Sequence, residues 1–190
     1  MDAHATTFGV PNRKMAMWVF IASECMFFGS LIATYLSYEG KSLVGPTPRE
    51  ILNIPLTSVS TFVLLMSSLA MVLALDAVQK GDRRMTRAWL GGVIVLGGLF
   101  LGGQVFEFSH FYHEGLTLQQ NLFGATFFVL TGFHGAHVTV GVIWMITLLV
   151  MSLRGTLGPD RSLDVEVAGL YWHFVDVVWI VIFTVVYLIQ

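Results

Sequence analysis

The chain has 190 residues, 55% of them hydrophobic and only 12% charged, with a formal net charge of −2. Its mean hydropathy is +0.75, whereas a soluble domain carries about a quarter charged residues. These values exclude an ordinary soluble core and offer nucleic acid no basic surface. The single cysteine, Cys25, excludes an internal disulfide and a thiolate metal cluster within the chain.

Taken in order, a polar stretch (residues 1–14) precedes an apolar run too long for the core of a signal peptide, so that run reads as a retained span. Five apolar runs follow one another at about 15–37, 56–75, 88–108, 122–151 and 167–189. Each approaches the roughly 20 residues that cross a bilayer core. In hydrocarbon the backbone must satisfy its own hydrogen bonds, so the runs predict helices. The expected fold is therefore an all-α membrane protein, a single five-helix bundle. Cys25 lies within the first run and is expected as a buried thiol.

The linkers fix the expected sidedness. Arg13, Lys14, Lys80, Arg83, Arg84, Arg87, Arg154 and Arg161 fall to one side of the membrane, and only Lys41 and Arg49 to the other. The basic excess predicts a cytoplasmic N-terminus and a C-terminus outside. Linker 39–55 holds Pro46, Pro48 and Pro55, and no proline lies in the core of a run.

Helix association in lipid relies on small residues that let backbones approach. Gly91, Gly98 and Gly102 in the third run share one helical face, as do Gly132 and Ala136 in the fourth, and both sets are expected as contact stripes. Ionisable side chains in mid-span need a reason to be there. Glu24 lies about 14 Å into the first run at 1.5 Å per residue. His134 and His137 sit three apart in the fourth run, and Glu166, His173 and Asp176 fall on one stripe of the fifth. Glu24, His134 and Asp176 reach similar depth, so one buried polar cluster is expected.

The plainest reading of that cluster is an interhelical hydrogen-bond network. A sharper one gives Glu24 a proton-handling role, since a carboxyl stripped of water favours its protonated form and can donate to a neutral histidine. A metal or haem site from His134, His137 and His173 is a third reading, but the Glu-x-x-His and His-Glu-x-x-His patterns are absent. A stand-alone proton or metal transporter using these groups is the alternative of another class, although no internal repeat is evident. Glu107, His110, His113 and Glu114 read as a solvated headgroup-level loop. Trp172 and Trp179 fit either interface or interior, and Tyr187 fits an interfacial aromatic belt.

Three segments carry a family resemblance. They are Tyr171-Trp172-His173-Phe174-Val175-Asp176-Val177-Val178-Trp179 with Val186-Tyr187, Thr131-Gly132-Phe133-His134-Gly135-Ala136-His137-Val138-Thr139, and Ser23-Glu24-Cys25-Met26-Phe27-Phe28. Gly103-Gln104 and Glu107-Phe108 support them. Together, from about Arg13 onward, the chain resembles the subunit III family of haem-copper respiratory oxidases.

The resemblance implies a helical subunit of an oxidase complex, docked beside subunit I, with no active site, haem or copper of its own. Haems and copper would belong to subunits I and II, which reduce oxygen and pump protons. The family role is to stabilise subunit I, support proton uptake and hold phospholipid, in a bacterial plasma membrane. Small subunits or a larger respiratory supercomplex are further implied partners. Glu24 matches the family's carbodiimide-reactive intramembrane glutamate; His134, His137, His173, Asp176, Tyr171, Trp172, Trp179 and Glu107 match its packed-core motifs.

The longer family form has two additional N-terminal helices enclosing a lipid-filled cleft, and this chain matches only the last five. The five-span form occurs in both cytochrome c and quinol oxidases. Glu24 and Gly132-Phe133-His134-Gly135 resemble the cytochrome c form more closely, with the quinol oxidase subunit as the alternative.

Overall fold

The computed structural model describes residues 9–41, 52–113, 115–119 and 121–189. Glu114, Arg49, Pro46 and Pro48 lie outside the described residues. Five long helices carry the fold: α1 (Asn12–Tyr38), α2 (Ile54–Gln79), α3 (Arg83–His113), α4 (Leu122–Leu153) and α5 (Ser162–Phe183). A 3₁₀ turn (Pro159–Arg161) leads into α5, and a π-helical turn (Thr184–Leu188) continues it. All five are long and apolar enough to cross a membrane. The helices outrun most of the apolar runs because their ends are capped by polar residues beyond the hydrocarbon stretch.

Those caps are readable in the local chemistry. Asn53 and Asn121 accept from the backbone N–H of Leu56 and Gly124, closing the starts of α2 and α4. Asp82 Oδ1 does the same for α3, accepting from Arg84 and Met85 N–H. Helices α2 and α4 end on Gly81 and Gly155, whose positive φ values of 74° and 75° suit glycine. In each, the glycine N–H returns to a carbonyl three residues back and the next residue's N–H to one five back, which satisfies the last carbonyls.

Helix α5 fills the middle of the bundle. It packs against α1, α2 and α4, while α3 closes the back against α2 and α4. In its most apolar window 56% of α5 is buried, against 11% for α1. Helix α1 is thus a peripheral element, seated on α4 and α5 through Ile21, Phe28 and Tyr35 at seven-residue spacing.

The basic residues collect at one end of the bundle. Arg13 meets Asp164 at 2.7 Å and Lys14 meets Glu166 at 2.5 Å, tying α1 to the start of α5. Arg87 Nη2 donates to Ser152 O at 3.0 Å, tying α3 to the end of α4. A Cβ built on Gly81 would sit 3.6 Å from Pro159, so the α2–α3 turn lies against the α4–α5 connection.

The expected glycine contact stripes are not what holds the helices together. A Cβ on Gly91, Gly98, Gly102 or Gly132 would meet nothing within 4 Å, because these faces point away from the rest of the chain. The close approaches use other glycines. A Cβ on Gly97 would stand 2.8 Å, and one on Gly141 2.7 Å, from the ring of Trp172, and one on Gly135 would stand 2.5 Å from Gln104 Oε1. Cys25, expected to be buried, is exposed on the outer face of α1.

Candidate functional site

The polar interior divides into four groups rather than one cluster. The first joins α1 to α4 at mid-depth. His137 Nε2 lies 3.2 Å from Glu24 Oε2, and under a fifth of either side chain is exposed. The other ring nitrogen, Nδ1, lies 2.7 Å from the carbonyl of Phe133. A carbonyl only accepts, so Nδ1 carries a proton. Nε2 then faces the Glu24 carboxyl across the α1–α4 seam, close enough for a proton to pass between a carboxyl and an imidazole. The Phe28 ring abuts His137 edge-on at 5.0 Å, and Tyr171 donates to the backbone carbonyl of His137 at 3.0 Å.

The second group joins α2 to α5. Ser68 Oγ and His173 Nδ1 are 2.5 Å apart. Asp176, one turn further on, is 3% exposed and neither carboxyl oxygen has a well-formed hydrogen bond. Ser68 also interacts with this carboxyl, but its hydrogen-bond geometry favours His173. The expected stripe of Glu166, His173 and Asp176 therefore splits: Glu166 pairs with α1 and His173 with α2.

His134 makes the third group and does not bond Glu24 or Asp176. It is fully buried with both ring nitrogens unpartnered. Its ring stacks on Trp179 at 4.9 Å and meets Phe100 edge-on at 5.9 Å. Of two histidines three residues apart, His134 is therefore an aromatic packing residue and His137 the polar one.

The fourth group lies at the end opposite the basic residues. Glu107 sits within α3, 8% exposed, and accepts from Thr57 Oγ1 at 2.5 Å and, over a longer 3.4 Å, from Tyr187 OH. The solvated-loop expectation thus fails for Glu107, because α3 runs on to His113; His110 and His113 in its last turn are exposed. Tyr187 is 2% exposed and reaches inward, so the interfacial-belt expectation fails for it as well. The π-helical turn carries this tyrosine.

Trp172 and Trp179 both pack inside. Their indole N–H groups donate to Ser67 Oγ at 3.0 Å and Thr61 Oγ1 at 2.9 Å on α2. Gln104 Nε2 donates to Thr131 O at 2.7 Å, joining α3 to α4. Four α2 hydroxyls enter these contacts, Thr57 donating to Glu107, Thr61 and Ser67 accepting from the indoles and Ser68 meeting His173, and none stands out in the sequence by its chemistry alone. Their recurrence at helical spacing was the available signal.

Between α1 and α4 an apolar groove opens outward. It comprises two adjoining cavities of about 480 and 560 Å³ that share Met17, Phe20 and Trp144. One end is marked by Arg13 and Asp164, the other by His137 and Phe133. Among the described residues no group of three or more His, Cys, Asp or Glu side chains could hold a metal ion.

Five membrane-length helices with polar side chains paired between them define a class, the polytopic helical membrane proteins. Within it, the model of the family described as cytochrome c oxidase subunit III matches residues 2–190. Cytochrome c oxidase subunit 3 of Bacillus sp. (strain PS3) is 38% identical over 177 residues, 93% of this chain and 86% of that protein. The probable quinol oxidase subunit 3 of Staphylococcus saprophyticus is also 38% identical, over 93% of this chain and 89% of its own length. Cytochrome bo(3) ubiquinol oxidase subunit 3 of Pseudomonas aeruginosa is 36% identical over 93% and 85%. The chain belongs to the cytochrome c oxidase subunit III family, that of the third subunit of haem-copper oxidases, which are multi-subunit complexes.

Proposed function

We propose that this chain is the non-catalytic third subunit of a proton-pumping cytochrome c oxidase, seated against subunit I in a bacterial plasma membrane. Oxygen reduction, the haems and the copper belong to subunits I and II in this reading, and small subunits or a supercomplex complete the assembly. The basic end lies in the cytoplasm, because eight Lys and Arg residues gather there. The observation that carries the functional part is the Glu24–His137 pair, a carboxyl and an imidazole 3.2 Å apart midway along their helices beside an apolar groove. It supports a role in proton uptake, and the groove suits a phospholipid acyl chain with its headgroup near Arg13.

Two experiments test this reading. Purified from native membranes, the chain should bring down a haem-bearing subunit, and separated from it should show no haem absorbance. Recovery alone, or with stoichiometric haem or iron, defeats the proposal. In the assembled complex, Glu24→Gln should assemble normally and slow proton uptake. Unchanged uptake removes the proton role, and lost assembly makes the Glu24 contact a structural one.

A quinol oxidase subunit is the second reading, favoured by relatives of that name at the same identity. A dinuclear copper site in the co-purified subunit II decides for cytochrome c; its absence decides for quinol.

A further inference from the structure

Five of the eight basic residues at one end of the bundle have no acidic partner among the described residues. Arg13, Lys14 and Lys80 are ion-paired with Asp164, Glu166 and Asp76, and Arg87 is bonded to a carbonyl. Arg83, Arg84, Arg154 and Arg161 are exposed and make no ion pair with a described residue. Two of these, Arg83 and Arg154, come to the corner where α3 starts and α4 stops. A Cβ on Gly155 would lie 3.6 Å from Arg83 Nη1, which puts that guanidinium over the last turn of α4, beside Arg154. Arg87, one turn along α3 from Arg83, lies over the same turn through its bond to Ser152. Asp82 is a carboxylate at this corner, and its Oδ1 is engaged in capping α3.

Depth identifies the kind of ligand. The apolar stretch of α3 starts directly after Arg87 with Ala88 and half-buried Trp89, and that of α4 ends at Leu153. The corner is thus at headgroup level, where a soluble anion meets only part of the site and a lipid meets all of it. Planar guanidinium groups take phosphate oxygens in pairs. Basic pockets between membrane helices recognise anionic headgroups in the same way.

We propose that the α3–α4 corner binds the phosphate of an anionic phospholipid, with Arg83 and Arg154 as its ligands, Arg87 as the inner wall, and the acyl chains along the outward face of α3. That face carries the uncovered glycines Gly91 and Gly98 beside exposed Val95 and Leu99. This site is separate from the α1–α4 groove, which has Arg13 at its mouth.

Native mass spectrometry of the purified, partly delipidated complex tests the assignment. Phosphatidylglycerol and phosphatidylcholine are added separately, with inorganic phosphate as competitor. The double variant Arg83→Gln/Arg154→Gln should lose about tenfold in phosphatidylglycerol retention at one site and leave phosphatidylcholine unchanged. The single variant Arg13→Gln should leave that site filled. Equal retention by the double variant overturns the proposal. So does displacement by millimolar inorganic phosphate, which would make this a free-anion site, or loss of a protein subunit instead of lipid, which would make it a protein contact. Lipid loss confined to Arg13→Gln upholds the groove while removing the corner.

Discussion

Gly141 shows how much a single hydrogen decides at the residue scale. A methyl group there would stand 2.7 Å from the Trp172 ring, which is fully buried and pinned to Ser67. Gly141→Ala and Gly97→Ala should each lower stability by about 1–3 kcal/mol, the usual cost of overpacking. Gly98→Ala and Gly102→Ala should cost little, since nothing lies within 4 Å. Thermal unfolding of the detergent-solubilised protein separates the two pairs. The Glu107 carboxyl makes a second test. Glu107→Ala removes an acceptor from Tyr187 and from Thr57, which keeps its bond to Asn53 O, and should cost about 0.5–1.5 kcal/mol. Glu107→Gln, which keeps an acceptor, should cost less in the same assay.

These residues also mark where the sequence could be read and where it could not. Periodicity places Gly91, Gly98 and Gly102 on a common face but is silent on whether that face looks inward. In a soluble helix a polar opposite face would answer that; in a membrane helix both faces are apolar. His134 and His137 were visible as a pair, yet only packing decides that Phe100 and Trp179 enclose one while Glu24 takes the other. Charge so near the end of an apolar run resembles a boundary, and for that reason Glu107 reads as a loop residue in the sequence. Its partner Thr57 lies 50 residues away, beyond any local signal.

At the scale of the element, helix count and order were legible from run length alone, because the bilayer sets one length for all. The unequal burial of those helices was not. Helix α1 is nearly as apolar as its neighbours but buries only three residues fully, supported by ion pairs at its start, the Glu24 contact at its middle and ring contacts of Phe20 and Phe27. Phe28 is the anchor, 2% exposed and in ring contact with His137 and Phe174. Phe28→Ala should cost about 3–5 kcal/mol, the range for large buried aromatics. Trp18→Ala, at a half-exposed position, should cost far less. Hydrogen exchange across Asn12–Tyr38 gives the readout: faster exchange in the Phe28 variant, unchanged exchange in the Trp18 variant. The exposed ion pair Arg13–Asp164 should add under about 1 kcal/mol in a double-mutant cycle.

For the whole molecule, an odd number of spans puts the start of α1 and the end of α5 on opposite sides of the membrane. A periplasm-dependent reporter fused after Ile189 should be active, and one inserted at Gly81, in the turn among the basic residues, inactive. The reverse pattern would invert the proposed orientation. The distribution of contacts carries a further consequence, for synthesis. Helix α5 is the last of the five to be translated, yet it is the one the others surround. Until it inserts, α1 has only α4 to lean on, and the α2 hydroxyls that receive Trp172, His173 and Trp179 stay unmatched. The α2–α3 and α3–α4 pairs need nothing from α5, so what the last helix completes is the seating of α1 and the centre of the bundle.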